Sequence, residues 1–257
     1  MPTGKLHGRR IVVTRPQAQA DKLCEAIMVR GGEPVRFPVL AISPAVDDSD
    51  LLDAVARLDA FDVAFFVSPN AVQYALDFIM TRRSWPPHVA VATVGKGSER
   101  VLGKFGFERV IAPQSGFDSE SVLALPEFGA DVIAGRHVAI FRGDGGRNLL
   151  GETLLARGAY VHYVTSYRRH CPELDPLPLL DRAQRGEIDA ITLTSSEGVH
   201  NLAGMVGRRG LETLRDIPVF APHPRIAAFA REAGFTDVIE TAPGDTGLME
   251  GIEARFG

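Results

Sequence analysis

Residues 136–167 read RHVAIFRGDGGRNLLGETLLARGAYVHYVTSY. Val138 to Phe141 is a short apolar run of strand type. Arg142-Gly143-Asp144-Gly145-Gly146-Arg147 is a turn with three glycines between two arginines. Asn148 to Arg157 predicts a helix with Leu150 and Leu154 on one face, and Gly158 stands where a helix C-terminus takes a left-handed residue. Tyr160 to Tyr163 returns to strand alternation, which runs on to Tyr167. The unit is therefore strand, basic glycine turn, helix, strand, tyrosine.

Working outward, the same unit begins at Arg10. Ile11 to Thr14 is a strand that ends at Arg15. A helix over 18–30 follows, with Ala20, Leu23, Cys24 and Ile27 at the i, i+3, i+4, i+7 spacing of a buried stripe. Gly31-Gly32 stops it, and Val35 to Val39 closes the unit. The duplication continues downstream. FFVSPNAVQYAL from Phe65 matches ITLTSSEGVHNLA from Ile191, with Ser68 under Ser195. KFGFERVIAP from Lys104 matches REAGFTDVIETAP from Arg231, with Gly106-Phe107 under Gly234-Phe235. Two copies fall short of a solenoid, which needs at least about three stacked repeats. They point to two similar globular lobes.

Strand and helix alternate along the whole chain. Strands are expected at 35–42, 63–67, 89–94, 109–112, 190–194, 218–221 and 237–240. Helices are expected at 49–58, from Ser68-Pro69, from Gly97-Ser98 to Gly106, at 118–125, from Ser195 to Val206, through Ala233, and from Asp245. Val63 to Val67 lacks polar alternation, as a strand covered on both faces does. The fold class is thus α/β, with mainly parallel sheets flanked by helices.

Bulk properties narrow the function. The chain has 257 residues, enough for one large or two ordinary domains, and a formal net charge of −4. A bulk field of that sign does not gather polyanions, so an anionic ligand has to be met by local arginines. No basic tract argues for nucleic acid. No apolar run approaches the roughly 18 residues of a membrane helix, and no apolar signal-peptide segment follows the charged N-terminus, so the protein is expected in the cytoplasm. Cys24 and Cys171 are the two cysteines; neither lies in a C-x-x-C, and both are expected as reduced thiols.

Ligands of parallel α/β sheets bind at the carboxyl ends of strands. Those ends carry Thr14-Arg15, Ser68-Pro69-Asn70, Gly95-Lys96-Gly97-Ser98, Arg142-Gly143 with Arg147, Thr194-Ser195-Ser196 and His223-Pro224-Arg225. Most of these turns open a helix, whose first backbone N–H groups suit an anion. The collected chemistry is hydroxyl, amide and guanidinium, fitted to several carboxylates or phosphates. Each feature also has a plainer reading. Ser68 and Ser195 are serines at helix starts, where capping alone explains them. Arg15, Arg142 and Arg147 could be surface arginines, Tyr167 a strand tyrosine packing on its neighbour, and His223 a helix-entry residue before Pro224. The glycines of 142–147 form neither G-x-G-x-x-G nor a P-loop. There is no G-x-S-x-G and no H-E-x-x-H, and the seven histidines lack metal-ligand spacing. An enzyme built from this set works by orientation and charge placement, with at most one general acid.

Taken together, Val13-Thr14-Arg15-Pro16, residues 66–72 (FVSPNAV), Val94-Gly95, Arg142-Gly143 through Arg147, Gly158-Ala159 leading to Tyr167-Arg168, Thr194-Ser195-Ser196 and His223-Pro224-Arg225-Ile226-Ala227 resemble the uroporphyrinogen-III synthase family over nearly the whole chain. Each motif is weak alone; their order and spacing carry the resemblance. One departure is Gly97-Ser98-Glu99, where the family usually shows a Thr-Ala pair after Val-Gly, so a hydroxyl role in that turn would fall to Ser98.

The resemblance implies an internal duplication with exchanged first strand-helix units, in two lobes joined by two extended connectors. One lobe would be 1–37 with 168–257, the other 42–163, and the connectors 38–41 and 164–167. It implies a cofactor-free lyase reaction of heme and porphyrin biosynthesis. Hydroxymethylbilane, a linear tetrapyrrole polycarboxylate, loses water and closes to uroporphyrinogen III with ring D inverted, through a spiro intermediate. Tyr167 would be the general acid. Arg15, Ser68, Asn70, Gly95, Lys96, Ser98, Arg142, Gly143, Arg147, Ser195, Ser196, His223 and Arg225 would bind substrate. No metal, nucleic acid or membrane partner is implied, and the expected state is a monomer. Two other classes compete: a non-catalytic two-lobed tetrapyrrole- or anion-binding regulator, and a nucleotide-sugar transferase, which would require a nucleotide pocket.

Overall fold

A computed structural model describes residues 4–257. In chain order the strands are β1 (Arg10–Val13), β2 (Glu33–Arg36), β3 (Ala41–Pro44), β4 (Val63–Phe66), β5 (Ala90–Thr93), β6 (Val110–Ile111), β7 (His137–Gly143), β8 (Tyr160–His170), β9 (Ala190–Thr192), β10 (Val219–Ala221) and β11 (Val238–Glu240). The helices are α1 (Asp21–Val29), α2 (Ser49–Ala56), α3 (Pro69–Met80), α4 (Lys96–Lys104), α5 (Ser119–Leu123), α6 (Ala130–Ile133), α7 (Leu149–Ala156), α8 (Leu177–Gln184), α9 (Ser196–Leu214), α10 (Pro224–Glu232) and α11 (Gly244–Phe256).

The strands form two sheets, ordered β11-β10-β9-β1-β2 and β3-β8-β7-β4-β5-β6. In the first, β1 pairs in parallel with both β2 and β9, and β10 with both β9 and β11. In the second, β4 pairs in parallel with β5 and β7, β5 with β6, and β7 with β8. Read from β11 and from β6, the two orders match position for position, and β3 adds a further strand beside β8. The sheet orders therefore contain the exchange: β1-α1-β2 joins strands of the second copy, and β7-α7-β8 joins strands of the first. The chain divides into two compact units. One takes in the chain through Ala41 together with His170–Gly257, and the other is Ile42–Arg169.

Each sheet is covered on both faces, which is why its strands read as unbroken apolar runs. Successive strand side chains point to opposite faces. Ile11 and Val13 accordingly join Leu23, Ile27 and Phe220 in one cluster, while Val12 joins Ile191, Leu202 and Val219 in another. In Ile42–Arg169, Phe66 and Phe141 stack at 4.8 Å on the α3 side, whereas Phe65 and Ile140 pack with Leu150 and Leu154 of α7 on the other. Fully burying one such side chain contributes about 1.5–3 kcal/mol.

The amino ends of the central strands are clamped in the same way in both sheets. Asp62, just before β4, accepts from the backbone N–H of His137 (2.8 Å) and from Arg136 Nη1 (2.6 Å). Asp189, just before β9, accepts from the backbone N–H of Arg10 (2.8 Å), Arg10 Nε (3.2 Å) and Arg9 Nη1 (2.9 Å). Burial would raise both carboxyls, but the amide and guanidinium donors win and hold each below the usual carboxylate range.

The structure adds detail at four places. Strand β2 ends at Arg36, and the segment expected at 35–42 continues past Pro38 with Phe37 N–H donating to the Val13 carbonyl and Val39 N–H to the Thr14 carbonyl, both at 3.0 Å. Residues 164–167 lie within β8, where Val164 and Thr165 pair with β7 and the register shifts before Tyr167. The helix expected to end at Val206 does break there, at Gly207 (φ 64°), a conformation open to glycine, and a second helical stretch follows to Leu214. Helix α8 is not among the expected elements; its Pro178 sits in the first turn, where proline is tolerated, and Leu179, Leu180 and Ala183 pack on the core. Among the described residues, no helix is long and apolar enough to cross a membrane.

Candidate functional site

Within Ile42–Arg169 the carboxyl ends of the parallel strands β8, β7, β4 and β5 fall on one edge. They bring Tyr167, Arg142-Gly143, Ser68-Asn70 and Gly95-Lys96-Ser98 to that edge. Tyr167 lies opposite Gly143 where the β7–β8 register shifts. A Cβ on Gly143 would stand 2.9 Å from the Tyr167 ring, so the ring can lie there only over glycine. Tyr74 of α3 stacks on it at 6.0 Å. The ring is consequently core rather than surface, with 6% of the residue exposed. Its hydroxyl is 3.2 Å from Ser68 Oγ.

Ser68 caps α3, where Oγ accepts from Ala71 N–H at 3.1 Å. The plain capping reading thus holds, and the contact to Tyr167 is additional to it. Asn70 is half-buried in the first turn of the same helix. Gly95 is the extended N-cap of α4. Lys96 Nζ is engaged by Glu99 at 3.0 Å, and Ser98 is buried. Arg142 is held by neutral groups of its own turn: Nη1 donates to Asn148 Oδ1 (2.9 Å) and Nη2 to the Gly146 carbonyl (3.2 Å). Its guanidinium also lies over the Tyr163 ring at 5.1 Å. Arg147 is exposed. A cavity of about 350 Å³ opens at this edge, and both arginines line it.

In the other unit, β1, β9 and β10 end side by side and carry Arg15, Ser195-Ser196 and His223-Arg225. Arg15 Nη1 meets Asp245 Oδ1 at 2.5 Å, an ionic contact that lies outside hydrogen-bond alignment. Ser195 caps α9 by accepting from Gly198 N–H at 2.9 Å, and half-buried Ser196 opens that helix. His223 caps α10, with Nδ1 accepting from Arg225 N–H at 3.1 Å; the Arg225 guanidinium stands 5.8 Å over Phe229. The β1 and β9 ends are clasped by Thr14 Oγ1, which donates to the Thr192 carbonyl at 2.6 Å. Among the described residues, no group of three or more His, Cys, Asp or Glu is placed to hold a metal ion.

The donors at both edges are guanidinium, hydroxyl and helix-start amide, a set suited to carboxylates. A family model described as uroporphyrinogen-III synthase HemD matches residues 21–250. The chain belongs to the uroporphyrinogen-III synthase family. The uroporphyrinogen-III synthase of Escherichia coli K12 is 31% identical over 230 residues, which is 89% of this chain and 93% of that protein. A mutant uroporphyrinogen III synthase of Thermus thermophilus shares the fold, with a TM-score of 0.60 at 18% identity over 96% of this chain and 98% of that one. The Helicobacter pylori enzyme does so with a TM-score of 0.56 at 13% identity over 95% and 97%.

Several residues at these uroporphyrinogen-III synthase edges escaped the sequence. Tyr74, Asp245, Tyr163 and Phe117 reach the edges through contacts remote in the chain, and no local spacing marks them. One signal was available. Tyr74 and Asn201 are equivalent in the duplication, and each side chain donates to a backbone carbonyl of the 39–42 segment, Tyr74 Oη to Ile42 O (3.0 Å) and Asn201 Nδ2 to Val39 O (2.8 Å).

Proposed function

We propose that this chain closes hydroxymethylbilane to uroporphyrinogen III, with inversion of ring D and release of one water. Membership of the family supports the reaction. The observation that carries the assignment of roles is the Tyr167 hydroxyl held 3.2 Å from Ser68 Oγ at an edge furnished with arginines. Because Ser68 Oγ accepts the Ala71 N–H, its own proton is available for the Tyr167 oxygen. The phenol hydrogen is then directed to the departing hydroxyl, which leaves as water as the pyrrole nitrogen pushes electrons to form the azafulvene. The terminal ring attacks through its substituted carbon, giving a spiro intermediate that fragments and recloses in the inverted sense. The bilane also closes unaided, head to tail, so the protein's main work is orientation, and Tyr167 contributes about 10–100-fold, at or below the usual general-acid range.

In this reading Arg142 and Arg147 receive acetate and propionate groups at one edge, with Ser68, Asn70, Gly95, Lys96, Ser98 and Gly143. Arg15, Ser195, Ser196, His223 and Arg225 receive them at the other. The lobes are 1–37 with 168–257 and 42–163, with 38–41 and 164–167 as the connectors, and the enzyme acts as a monomer in the cytoplasm. Isomer analysis tests the reading. Hydroxymethylbilane is generated in situ, the protein is added, and the oxidised porphyrins are separated. Predominant isomer III is the expected product. Predominant isomer I from folded protein would overturn the reading and return the binding-regulator alternative.

A further inference from the structure

The cavity of about 350 Å³ in Ile42–Arg169 is built from more than its two arginines. Phe65, Ile140 and Leu150 supply an apolar floor continuous with the α7-side core. Phe117 and Tyr163 line it while remaining 48% and 39% exposed, unusual for aromatic rings that have a core beside them. Both are held there. Phe117 has a left-handed backbone (φ 52°), rare for a bulky residue, and its ring lies against Gly95, where a Cβ would come within 3.1 Å. Tyr163 rests on α7 at Gly151, where a Cβ would overlap its hydroxyl at 1.9 Å. Asp118 completes the lining. It caps α5 by accepting from Ser121 N–H at 2.8 Å, which leaves the carboxylate further acceptor capacity. The Ser121 hydroxyl, then the Ser121 backbone N–H, holds its carboxyl below the usual range, with a smaller contribution from Arg147.

We propose that this cavity is a single-ring subsite, in which Phe117 and Tyr163 contact the π-faces of one substrate pyrrole, Arg142 and Arg147 receive its acetate and propionate, and Asp118 accepts its N–H. The proposal rests on the reaction assigned above. The volume lies at the low end of the ~300–1,000 Å³ of small-ligand sites, too small for four linked rings and ample for one. The polar inventory matches one ring: two cations for two carboxylates and one carboxylate for one N–H donor. An anion site without the ring would need neither the aromatic walls nor an acid among its lining residues.

The probe is porphobilinogen, a monopyrrole with one acetate and one propionate. Titrated into protein carrying labelled methyls, it should shift Leu150 and Val67 and inhibit competitively against hydroxymethylbilane. Phe117→Ala should weaken both probe affinity and KM about tenfold, with a smaller change in kcat. Asp118→Asn keeps the cap. It should weaken the probe if the carboxylate accepts the pyrrole N–H, and tighten it if the carboxylate merely repels the ring's anions. Circular dichroism confirms that each variant is folded. Unshifted Leu150 and Val67 methyls, a Phe117→Ala enzyme of unchanged KM, or tighter binding by Asp118→Asn overturns the subsite. Wild-type protein that makes isomer III alongside any of these results leaves the assigned reaction standing. Wild-type protein that makes isomer I, yet binds the probe in a Phe117-dependent way, removes the reaction and keeps the ring site.

Discussion

The two copies of the duplicated unit agree at one end of their sheets and part company at the other. At the amino ends, Asp62 and Asp189 make the same clamp on the neighbouring strand, through the same backbone amide and an adjacent arginine. At the carboxyl ends, equivalent arginines have unlike partners. Arg142 is held by an amide and a carbonyl and lies over the Tyr163 ring, with no ion pair among the described residues. Arg15 sits against the carboxylate of Asp245. One copy adds a buried tyrosine over glycine, and at the equivalent of Gly143 the other has Pro16. The amino edge carries the same clamp in both copies, whereas the carboxyl edge, where the proposed substrate contacts lie, differs between them.

The largest test of that contrast compares the two arginines. Arg142→Met should lower kcat/KM about 100-fold, since a charge-assisted contact is worth roughly 1.5–3 kcal/mol. Arg15→Met should lower it about tenfold or less, because Asp245 already meets much of that charge. Equal losses in steady-state assays would erase the distinction. Next, Tyr167→Phe keeps the packing on Tyr74 and removes only the hydroxyl. It should lower kcat about 10–100-fold with the melting temperature nearly unchanged. A fully active Tyr167→Phe enzyme rules out the general-acid role.

The shared end gives a smaller pair of effects. Asp62→Ala and Asp189→Ala should each cost about 1–3 kcal/mol in urea unfolding, through the buried donors left behind, with isomer III still the product. A tenfold larger cost for one than for the other would break the equivalence. Both carboxyls are depressed in the folded chain. Their contribution is therefore fully present above the usual 3.8 and is lost as pH falls through the folded-state values. The smallest effect is at His162, beside His137 in the Asp62 copy (Nδ1 of His137 to Nε2 of His162, 3.3 Å). Burial, then the charges of Arg57 and His137, holds this imidazole below its usual 6.5. The unfolded chain thus binds more protons as pH falls below that value, so stability declines through the window between 6.5 and the folded-state value. Thermal melts at about pH 7.5 and 5.5 should show the decline, and His162→Gln should flatten it.

What could be read from the chain follows how local its causes are. Ser68 and Ser195 were legible as helix starts because a cap needs only four successive residues, and the duplication repeats it. The strand-end arginines were legible because a parallel sheet sends every carboxyl end to one edge. The exchange of β1-α1-β2 and β7-α7-β8 came from the family resemblance, since nothing local says which sheet a strand will join. The burial of Tyr167 was not legible, for it depends on Gly143 meeting it across a register shift. Nor was the Arg15 pairing, whose partner stands at the far end of the chain. The aromatic cavity combines a loop phenylalanine with a tyrosine that periodicity assigns to an ordinary strand.

The placement of β1 between β2 and β9 also fixes a timetable for synthesis. Within the contiguous segment Ile42–Arg169 the widest gap between paired neighbours is that from β3 to β8. The unit β1-α1-β2 waits longer, for β9, more than 150 residues later. At about 5–20 residues per second that wait is on the order of ten seconds or more. Throughout it, Ile11, Val12 and Val13 lie on a strand whose inner edge has no neighbour, a ready template for pairing with another nascent chain. The late arrival of β9 is thus what covers the exposed edge of β1.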